Sequence, residues 1–202
     1  MTRTVDPADL TPGEAYELLT QAITPRPIAF VSTISTDGVP NLAPFSFFTA
    51  GGAAPPSLVF SVVLNSKGGG KDTLRNIEET GEFVVNTLTR DMADGMNATS
   101  ASLPADESEW PASGFTPVPS VLVKPARVLE SPASFECRLF KVVAHGEGPT
   151  AARYIIGEVV RFHLTEPFPQ PLIARLDGPN YMDSADGSHF SLKRPSSRPQ
   201  NG

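Results

Sequence analysis

The chain has 202 residues and a formal net charge of −6, with 40% hydrophobic and 19% charged residues. This composition is typical of a folded globular protein, and its acidic balance argues against nucleic acid as the main partner. The single cysteine, Cys137, excludes an internal disulfide, and with no signal-peptide core and no run of ~20 apolar residues we expect a cytoplasmic protein without a membrane span.

Up to residue 64, the sequence predicts one helix and three strands. Apolar residues at helical spacing predict the helix, and Pro25 and Pro27 end it. Runs rich in β-branched and aromatic residues predict the strands, with a hairpin turn at Asp37-Gly38 between the first two. In chain order, the elements are a helix at 12–22, strands at 28–35 and 40–48, a break at 51–56 and a buried strand at 57–64.

From residue 65 onward, a loop with three consecutive glycines precedes a second predicted helix. We expect Asp72 or Thr73 to cap this helix at its start and Gly81 to end it. In chain order, the elements are a helix at 71–80, a strand at 82–88, a helix at 90–101, a Pro- and Ser-rich loop at 103–120 and strands at 121–129, 135–144 and 154–164.

This order of elements predicts a β-rich fold of the all-β or α+β class. Six or seven strands with two or three short helices lack the regular strand–helix alternation of a parallel α/β sheet. An antiparallel barrel with inserted helices fits the pattern better. We expect one domain over residues 1–192, followed by a polar, disordered tail at 193–202.

The segment 66–76 has the composition of a phosphate site. Lys67 and Lys71 lie beside three glycines, directly before a helix N-terminus, where free N–H groups and the helix dipole favour an anion. Thr73 adds a hydroxyl donor. The segment is not a Walker A loop, because an Asp follows its Gly-Lys pair where that loop has Ser or Thr. A solvated glycine loop capped by Asp72 is the alternative.

The segment 41–48 breaks a strand pattern with small residues and a proline, and it has a hydroxyl beside aromatic side chains. It has two interpretations. The segment presents backbone N–H and C=O groups to the edge of a flat heteroaromatic ring, or its three phenylalanines fill a barrel core. Composition alone favours the core.

The remaining polar residues predict neither a metal site nor a protein nucleophile. The histidines share no metal-like spacing, and His163, within an apolar run, is expected to be structural. Cys137 lies in mid-strand and is expected to be a buried packing residue. Arg175 and Tyr181 either face a site or belong to a surface turn.

Taken in order, these motifs resemble the flavin-reductase-like, FMN-binding split-barrel family, and most of all its flavoredoxin-like branch. The resemblance covers roughly residues 20–192. Its motifs are Arg26-Pro27-Ile28-Ala29, Ser32-Thr33, Asp37-Gly38, the run from Asn41 to Phe48, Pro55-Pro56, Lys71-Asp72-Thr73, Asn76-Ile77, the run from Gly81 to Asn86, Phe135-Glu136-Cys137, Ile156-Gly157-Glu158-Val159, and Arg175-Leu176 through Tyr181.

The resemblance implies a split β-barrel that forms a homodimer, with FMN near the dimer interface. Residues 41–47 would line the isoalloxazine ring, Ser61 and Val62 would face the ring or the ribityl chain, and residues 71–73 would hold the phosphate. The FMN-binding residues implied in this way are Asn41, Ala43, Pro44, Phe45, Ser46, Phe47, Ser61, Val62, Lys71, Asp72 and Thr73.

The activity implied is that of a flavin oxidoreductase, in which NAD(P)H reduces FMN and the electrons pass to a second acceptor. Two alternatives remain: an FMN-containing carrier that takes electrons from a partner protein, and a split barrel that has lost its flavin. The short NADH-using flavin reductases have a Gly-Asp-His segment where this chain has residues 150–153 (TAAR). The histidine is absent, and Arg153 is the nearby side chain that would pair with a nicotinamide phosphate.

Overall fold

The computed structural model describes residues 1–65, 68–193 and 195. Two of the expectations above fall partly on other residues. The predicted phosphate loop includes Ser66 and Lys67, and the predicted tail includes residues 194 and 196–202. These positions lie outside the described residues.

Four α-helices form among the described residues, and two of them match the sequence prediction closely. Helix α1 begins with a capping box: the Glu14 backbone N–H donates to the Thr11 hydroxyl over 3.3 Å, and the Thr11 N–H donates to the Glu14 carboxylate over 2.9 Å. The helices are α1 (Pro12–Ala22), α2 (Asp72–Thr80), α3 (Ala93–Ala98) and α4 (Trp110–Ser113), with 3-10 turns at Pro7–Asp9 and Arg90–Met92.

The two ends of α2 differ in how well they were predicted. Gly81 ends the helix in the left-handed conformation at φ 71°, which confirms the prediction. The predicted cap at Asp72 or Thr73 is wrong. Lys71 is the residue that precedes the helix, and no side chain caps it. Asp72 instead forms an ion pair with Arg75 at 2.8 Å, one helical turn along.

Twelve strands are described, and seven of them form one antiparallel sheet of order β2-β1-β5-β8-β9-β4-β3. Strands β10, β11 and β12 form a second, three-stranded sheet, and β6 pairs with β7. The strands are β1 (Ala29–Ile34), β2 (Pro40–Phe45), β3 (Phe48–Ala53), β4 (Pro56–Val63), β5 (Glu82–Asn86), β6 (Pro117–Val118), β7 (Arg127–Val128), β8 (Ala133–His145), β9 (Ala152–Leu164), β10 (Ile173–Arg175), β11 (Asn180–Asp183) and β12 (His189–Ser191).

Three sequence predictions about the strands are corrected. The strand expected at 121–129 is wrong except for Arg127–Val128, because the N–H groups of Val121 and Leu122 donate to the Glu136 carboxylate instead of to a strand. The break expected at 51–56 is partly strand, since β3 reaches Ala53. The predicted loop at 103–120 contains α4 and β6.

The large sheet closes into a split β-barrel because β2 leads into β3 through Ser46 and Phe47. These two strands lie at opposite edges of the sheet, so the short connection brings the edges together. Ser61 on β4 donates its N–H to the Phe47 carbonyl over 2.8 Å. The Phe45 and Phe60 rings meet across the closure, with their centroids 5.2 Å apart. The sequence prediction of a β-rich split barrel is thereby confirmed.

Strand alternation creates two cores. Ala29 and Val31 face the barrel interior, whereas Ile28 and Phe30 face an outer layer formed by α3, α4 and the β10–β12 sheet. The interior leaves little spare room, because a Cβ at Gly157 would lie 2.3 Å from the Phe83 ring. Glycine at this position therefore lets an aromatic ring occupy the barrel centre.

Within the described part of the chain, no helix combines the length and the apolar character needed to cross a membrane.

Candidate functional site

Strand β2 and the start of α2 bring together several residues predicted to bind phosphate. Asn41 donates its side-chain N–H to the Thr73 hydroxyl over 2.9 Å, and both residues are buried. The Lys71 ammonium lies 5.0 Å from the centre of the Phe45 ring, at cation–π distance. Asp72 and Thr73 are the first two residues of α2, and the first N–H groups of a helix have no acceptor within the helix. The arrangement combines a positive charge, a hydroxyl and a helix N-terminus.

The described part of the glycine loop closes on Asn65. Gly68 donates its N–H to the Asn65 carbonyl over 2.9 Å, and Gly69 donates to the Asn65 side chain over 3.0 Å. The turn between β8 and β9 supports the loop: a Cβ at Gly68 would lie 3.4 Å from the Cα atom of Gly148. Leu64 also donates its N–H to the Ala151 carbonyl at 2.9 Å. The hairpin turn therefore sets where the loop lies.

Arg153 lies at the start of β9, directly after this turn. Its guanidinium donates to the Gly146 carbonyl over 3.2 Å and to the Ala152 carbonyl over 2.9 Å. The side chain that the sequence offered for a nicotinamide phosphate thus has a structural role in its own hairpin.

The outer edge of β2 is where the predicted ring segment meets the surface. The Leu42 N–H points away from β1 and donates to the Glu109 carboxylate over 3.1 Å. Because backbone direction alternates along a strand, the nitrogen of Pro44 faces the same outer side, where a missing N–H breaks no ladder bond. The edge therefore stays open beyond Leu42, toward Ser46.

The other residues predicted to line the ring fall into two groups. The side chains of Phe45 and Val62 lie in the barrel core, and Ala43 packs against that core. The backbone groups of Ala43 and Phe45 alternate with those of Leu42 and Pro44 and therefore face β1. Ser61 is buried beside the closure, and Phe47 is half-buried, with its ring centre 5.7 Å from that of Tyr16.

Glu109 is a site residue that sequence analysis missed. Its side chain is buried, and burial raises the pKa of its carboxyl, an effect that Asp72 strengthens and the Leu42 hydrogen bond opposes. It lies in the Pro- and Ser-rich loop, directly before Trp110. A lone tryptophan in such a loop is the signal that could have indicated a buried anchor.

A cavity of about 490 Å³ opens beside Pro44 and Ser46. Its far walls come from α1, α3 and the β10–β12 sheet, and they include Arg26, Arg175 and Tyr181. Arg175 donates to the Tyr181 hydroxyl, and its guanidinium lies 4.5 Å from the Tyr181 ring centre. Arg175 and Tyr181 therefore line a cavity, and a role for them in binding stays a prediction.

His163 and Cys137 have the structural roles expected from sequence. The His163 Nε2 atom lies 2.6 Å from the Glu136 carboxylate, on the outer face of the sheet. Burial alone would raise the pKa of Glu136, but hydrogen bonds from Val121, Leu122 and His163 hold it below its ordinary value. Burial raises the pKa of the Cys137 thiol. No cluster of three potential metal ligands occurs among residues 1–65, 68–193 and 195.

Comparison of the sequence with known proteins finds a matching family model and a relative that is similar over nearly its full length. The family model described as "Flavin reductase like domain" matches residues 21–177. A protein of Halalkalibacterium halodurans is 39% identical over 202 residues, covering 95% of this chain and 96% of that protein.

Two solved structures are similar over nearly the whole chain. Nitrilotriacetate monooxygenase component B from Bacillus cereus has a TM-score of 0.87 and 36% identity, covering 95% of this chain and 99% of that chain. The 2-nitrobenzoate 2-nitroreductase NbaA of Pseudomonas fluorescens has a TM-score of 0.81 and 29% identity, covering 99% and 100%.

The Glu109 contact predicts different effects on stability for two substitutions. Glu109→Ala leaves the Leu42 N–H without an acceptor and should lower the free energy of unfolding by about 1–3 kcal/mol. Glu109→Gln keeps an oxygen acceptor and removes a buried charge, so its stability at pH 7 should equal or exceed that of the wild type. Urea unfolding measures both, and equal losses in Gln and Ala would contradict the assignment.

The same variants test the pKa of Glu109. A raised pKa means that the folded protein binds this proton more tightly than the unfolded chain does. Wild-type stability relative to Glu109→Gln should therefore rise as pH falls from neutral toward about 4.3, the ordinary value for Glu. A difference that stays constant over this range would show that the carboxyl is not perturbed.

Proposed function

The chain belongs to the flavin reductase-like family, and we propose that it is an FMN-binding oxidoreductase that uses NAD(P)H and passes electrons to a second acceptor. When bound, FMN supplies the redox chemistry, and the protein holds and orients it. The observation that carries the proposal is the corner between β2 and α2, where Lys71 and Thr73 meet beside a helix N-terminus.

This corner fits a phosphate group. Asn41 donates to the Thr73 hydroxyl, so the hydroxyl proton is available to donate to a phosphate oxygen. Lys71 supplies the charge, and the N–H groups of Asp72 and Thr73 supply directed donors. The Asp72 carboxylate opposes an anion, but its ion pair with Arg75 offsets that charge.

The edge of β2 fits the flavin ring. From the phosphate corner at Asn41, the strand runs five residues to Ser46. An extended chain of that length spans about 17 Å. Ser46 and Pro44 border the cavity, and Phe47 lies beside it. Val62 lies behind this edge on β4, with its side chain enclosed in the core and its position paired with Arg153 of β9.

The two similar structures do not identify a single electron acceptor. One is by its name a component of a monooxygenase, and the other is by its name a nitroreductase. Both names support a second substrate or partner beyond the flavin, and a cytoplasmic location would provide NAD(P)H.

A flavoredoxin-like electron carrier is the second candidate, and one observation favours it. The segment 150–153 lacks the histidine of the NADH-using enzymes, and Arg153 bonds its own turn. A carrier would take electrons from a partner protein instead of from NAD(P)H.

Changing Lys71 to Ala should weaken FMN binding by roughly 10- to 150-fold, because a charge-assisted hydrogen bond worth about 1.5–3 kcal/mol is lost. Fluorescence titration of the flavin-free protein measures the affinity. Lys124→Ala, at an exposed lysine of another loop, is the matched control and should bind FMN normally. Unchanged FMN affinity in a folded Lys71→Ala protein would contradict the placement of the phosphate at this corner.

We also propose a homodimer with FMN near its interface. Apolar side chains from the runs 121–129 and 135–144 are exposed, among them Val121 at 63% and Phe140 at 72%. Sedimentation at micromolar concentration should show twice the chain mass of 21.5 kDa. Phe140→Asp should shift the protein toward monomer. A wild-type monomer with FMN bound would contradict both the dimer and the interfacial cofactor.

Reduction of the FMN-loaded protein by NADH or NADPH should be slow without a partner. No histidine orients the nicotinamide, so hydride transfer loses part of a proximity effect that reaches several kcal/mol in ordered sites. Anaerobic stopped-flow absorbance at the flavin band measures the rate. Fast, saturable reduction by either nucleotide would contradict this expectation, and reduction by an electron-transfer protein alone would favour the carrier.

A further inference from the structure

The cavity beside Ser46 contains two guanidinium groups and no carboxylate among its described lining residues. Arg26 comes from the segment after α1, and Arg175 ends β10. The chain as a whole carries a net charge of −6. A concave site with two unneutralised cations in an acidic protein concentrates positive potential where a ligand can enter.

Arg26 is held rigidly by backbone oxygens. Its guanidinium donates to the carbonyls of Thr20, Ile23 and Leu176 at 2.7, 2.9 and 2.6 Å, and the residue is 4% exposed. Its Nε–H has no acceptor in the part of the chain that the structure describes. These carbonyls are neutral, so the charge of Arg26 is fixed in place without being cancelled.

The electrostatic surroundings of Arg26 confirm this imbalance. Burial is the main cause that lowers the pKa of its guanidinium; Tyr16 opposes this effect, the charge of Arg175 lowers the pKa further, and Asp177 opposes it most weakly. Asp177 does not line the cavity. An oxyanion between the two arginines would relieve their repulsion, which adds to the attraction of each one separately.

The contact between Arg175 and Tyr181 leaves the Tyr181 hydroxyl available as another hydrogen-bond donor. Arg175 donates to the Tyr181 hydroxyl and to the Gly178 carbonyl. Because the hydroxyl accepts from Arg175, its own proton is left for another acceptor. Burial raises the pKa of Tyr181, and the hydroxyl therefore stays protonated at neutral pH. Tyr181 and the two arginines thus converge on one cavity as donors.

The rest of the lining indicates what the anion is attached to. Tyr16, Met96 and Leu192 supply aromatic and apolar surface, and Ser46 brings the cavity to the flavin ring proposed above. A volume of about 490 Å³ lies within the range for small organic ligands.

We infer that this cavity binds the second substrate of the flavin, a planar organic oxyanion whose carboxylate or phosphate contacts Arg26, Arg175 and Tyr181. Guanidinium groups match both oxyanions in geometry, so the charged group comes from a small aromatic carboxylate or from a nicotinamide nucleotide. The ligand's role as a substrate depends on the proposed function, but the anion site itself does not.

The test measures ligand binding, which is independent of turnover. Benzoate, its neutral analogue benzamide, and nicotinamide mononucleotide are titrated calorimetrically into the full chain with and without FMN. Benzoate or the mononucleotide should bind to the wild type, and Arg175→Met should weaken that binding at least 10-fold. Arg161→Met is the charge-matched control, because Arg161 is exposed on β9 and does not line the cavity.

A second variant covers the case in which Arg175→Met fails to fold. Ser100 lines the cavity two residues after the end of α3, and Ser100→Asp adds a negative charge while leaving both arginines in place. This substitution should weaken binding of the oxyanion and leave binding of benzamide unchanged. Circular dichroism confirms the fold of each variant.

The outcomes separate the ligand sources and the two proposals. Benzoate binding that depends on Arg175 assigns a small carboxylate, and binding of the mononucleotide alone assigns a nucleotide phosphate. Neither ligand binding, or binding that both variants leave intact, would overturn the inference even if FMN binds normally. Failure to bind FMN with anion binding retained would instead refute the proposed function and leave the anion site in place.

Discussion

The open outer edge of strand β2 is the constraint on which the rest of the site depends. A strand at the edge of a sheet exposes N–H and C=O groups that need partners. Here β1 pairs with one side of β2, and the chain turns away at Ser46 to join the opposite edge of the barrel. Glu109 satisfies the Leu42 N–H, and Pro44 has no N–H to satisfy. The edge groups left over, toward Ser46, are those available to a ligand.

That geometry explains why charged residues surround the strand on both sides. The inward side chain of Asn41 contacts Thr73 at the start of α2, close to Lys71. The outward side faces the cavity that Arg26 and Arg175 line. One extended segment therefore lies between two regions of positive potential in an acidic protein. A ligand with an anion at the phosphate corner leaves the second region unneutralised, which is why we assign the two regions to different molecules.

The sequence predicted most of the barrel because its signals are local. Helix α1 follows from apolar residues at helical spacing, and β4 and β9 follow from runs of β-branched residues. The strand expected at 121–129 failed because its apolar residues satisfy the same periodicity whether or not a neighbour pairs with them. A buried carboxylate fifteen residues along the chain, Glu136, takes the N–H groups instead. The β10–β12 sheet escaped prediction because its strands have three or four residues, too few for a periodic pattern.

The sequence predicted one part of the candidate site, the phosphate corner, and not the pair of arginines in the cavity. Lys71 and Thr73 carry a local signal, since charge, hydroxyl and helix start are neighbours in sequence. Arg26 and Arg175 are separated by about 150 positions and meet through backbone hydrogen bonds of 2.8 Å between their own N–H and C=O groups. This bridge ties the segment after α1 to β10, so the cavity walls come from segments that are far apart in the sequence. A site assembled by such long-range pairing leaves no spacing in the sequence, and its arginines must be fixed by neutral carbonyls before their charges can serve a ligand.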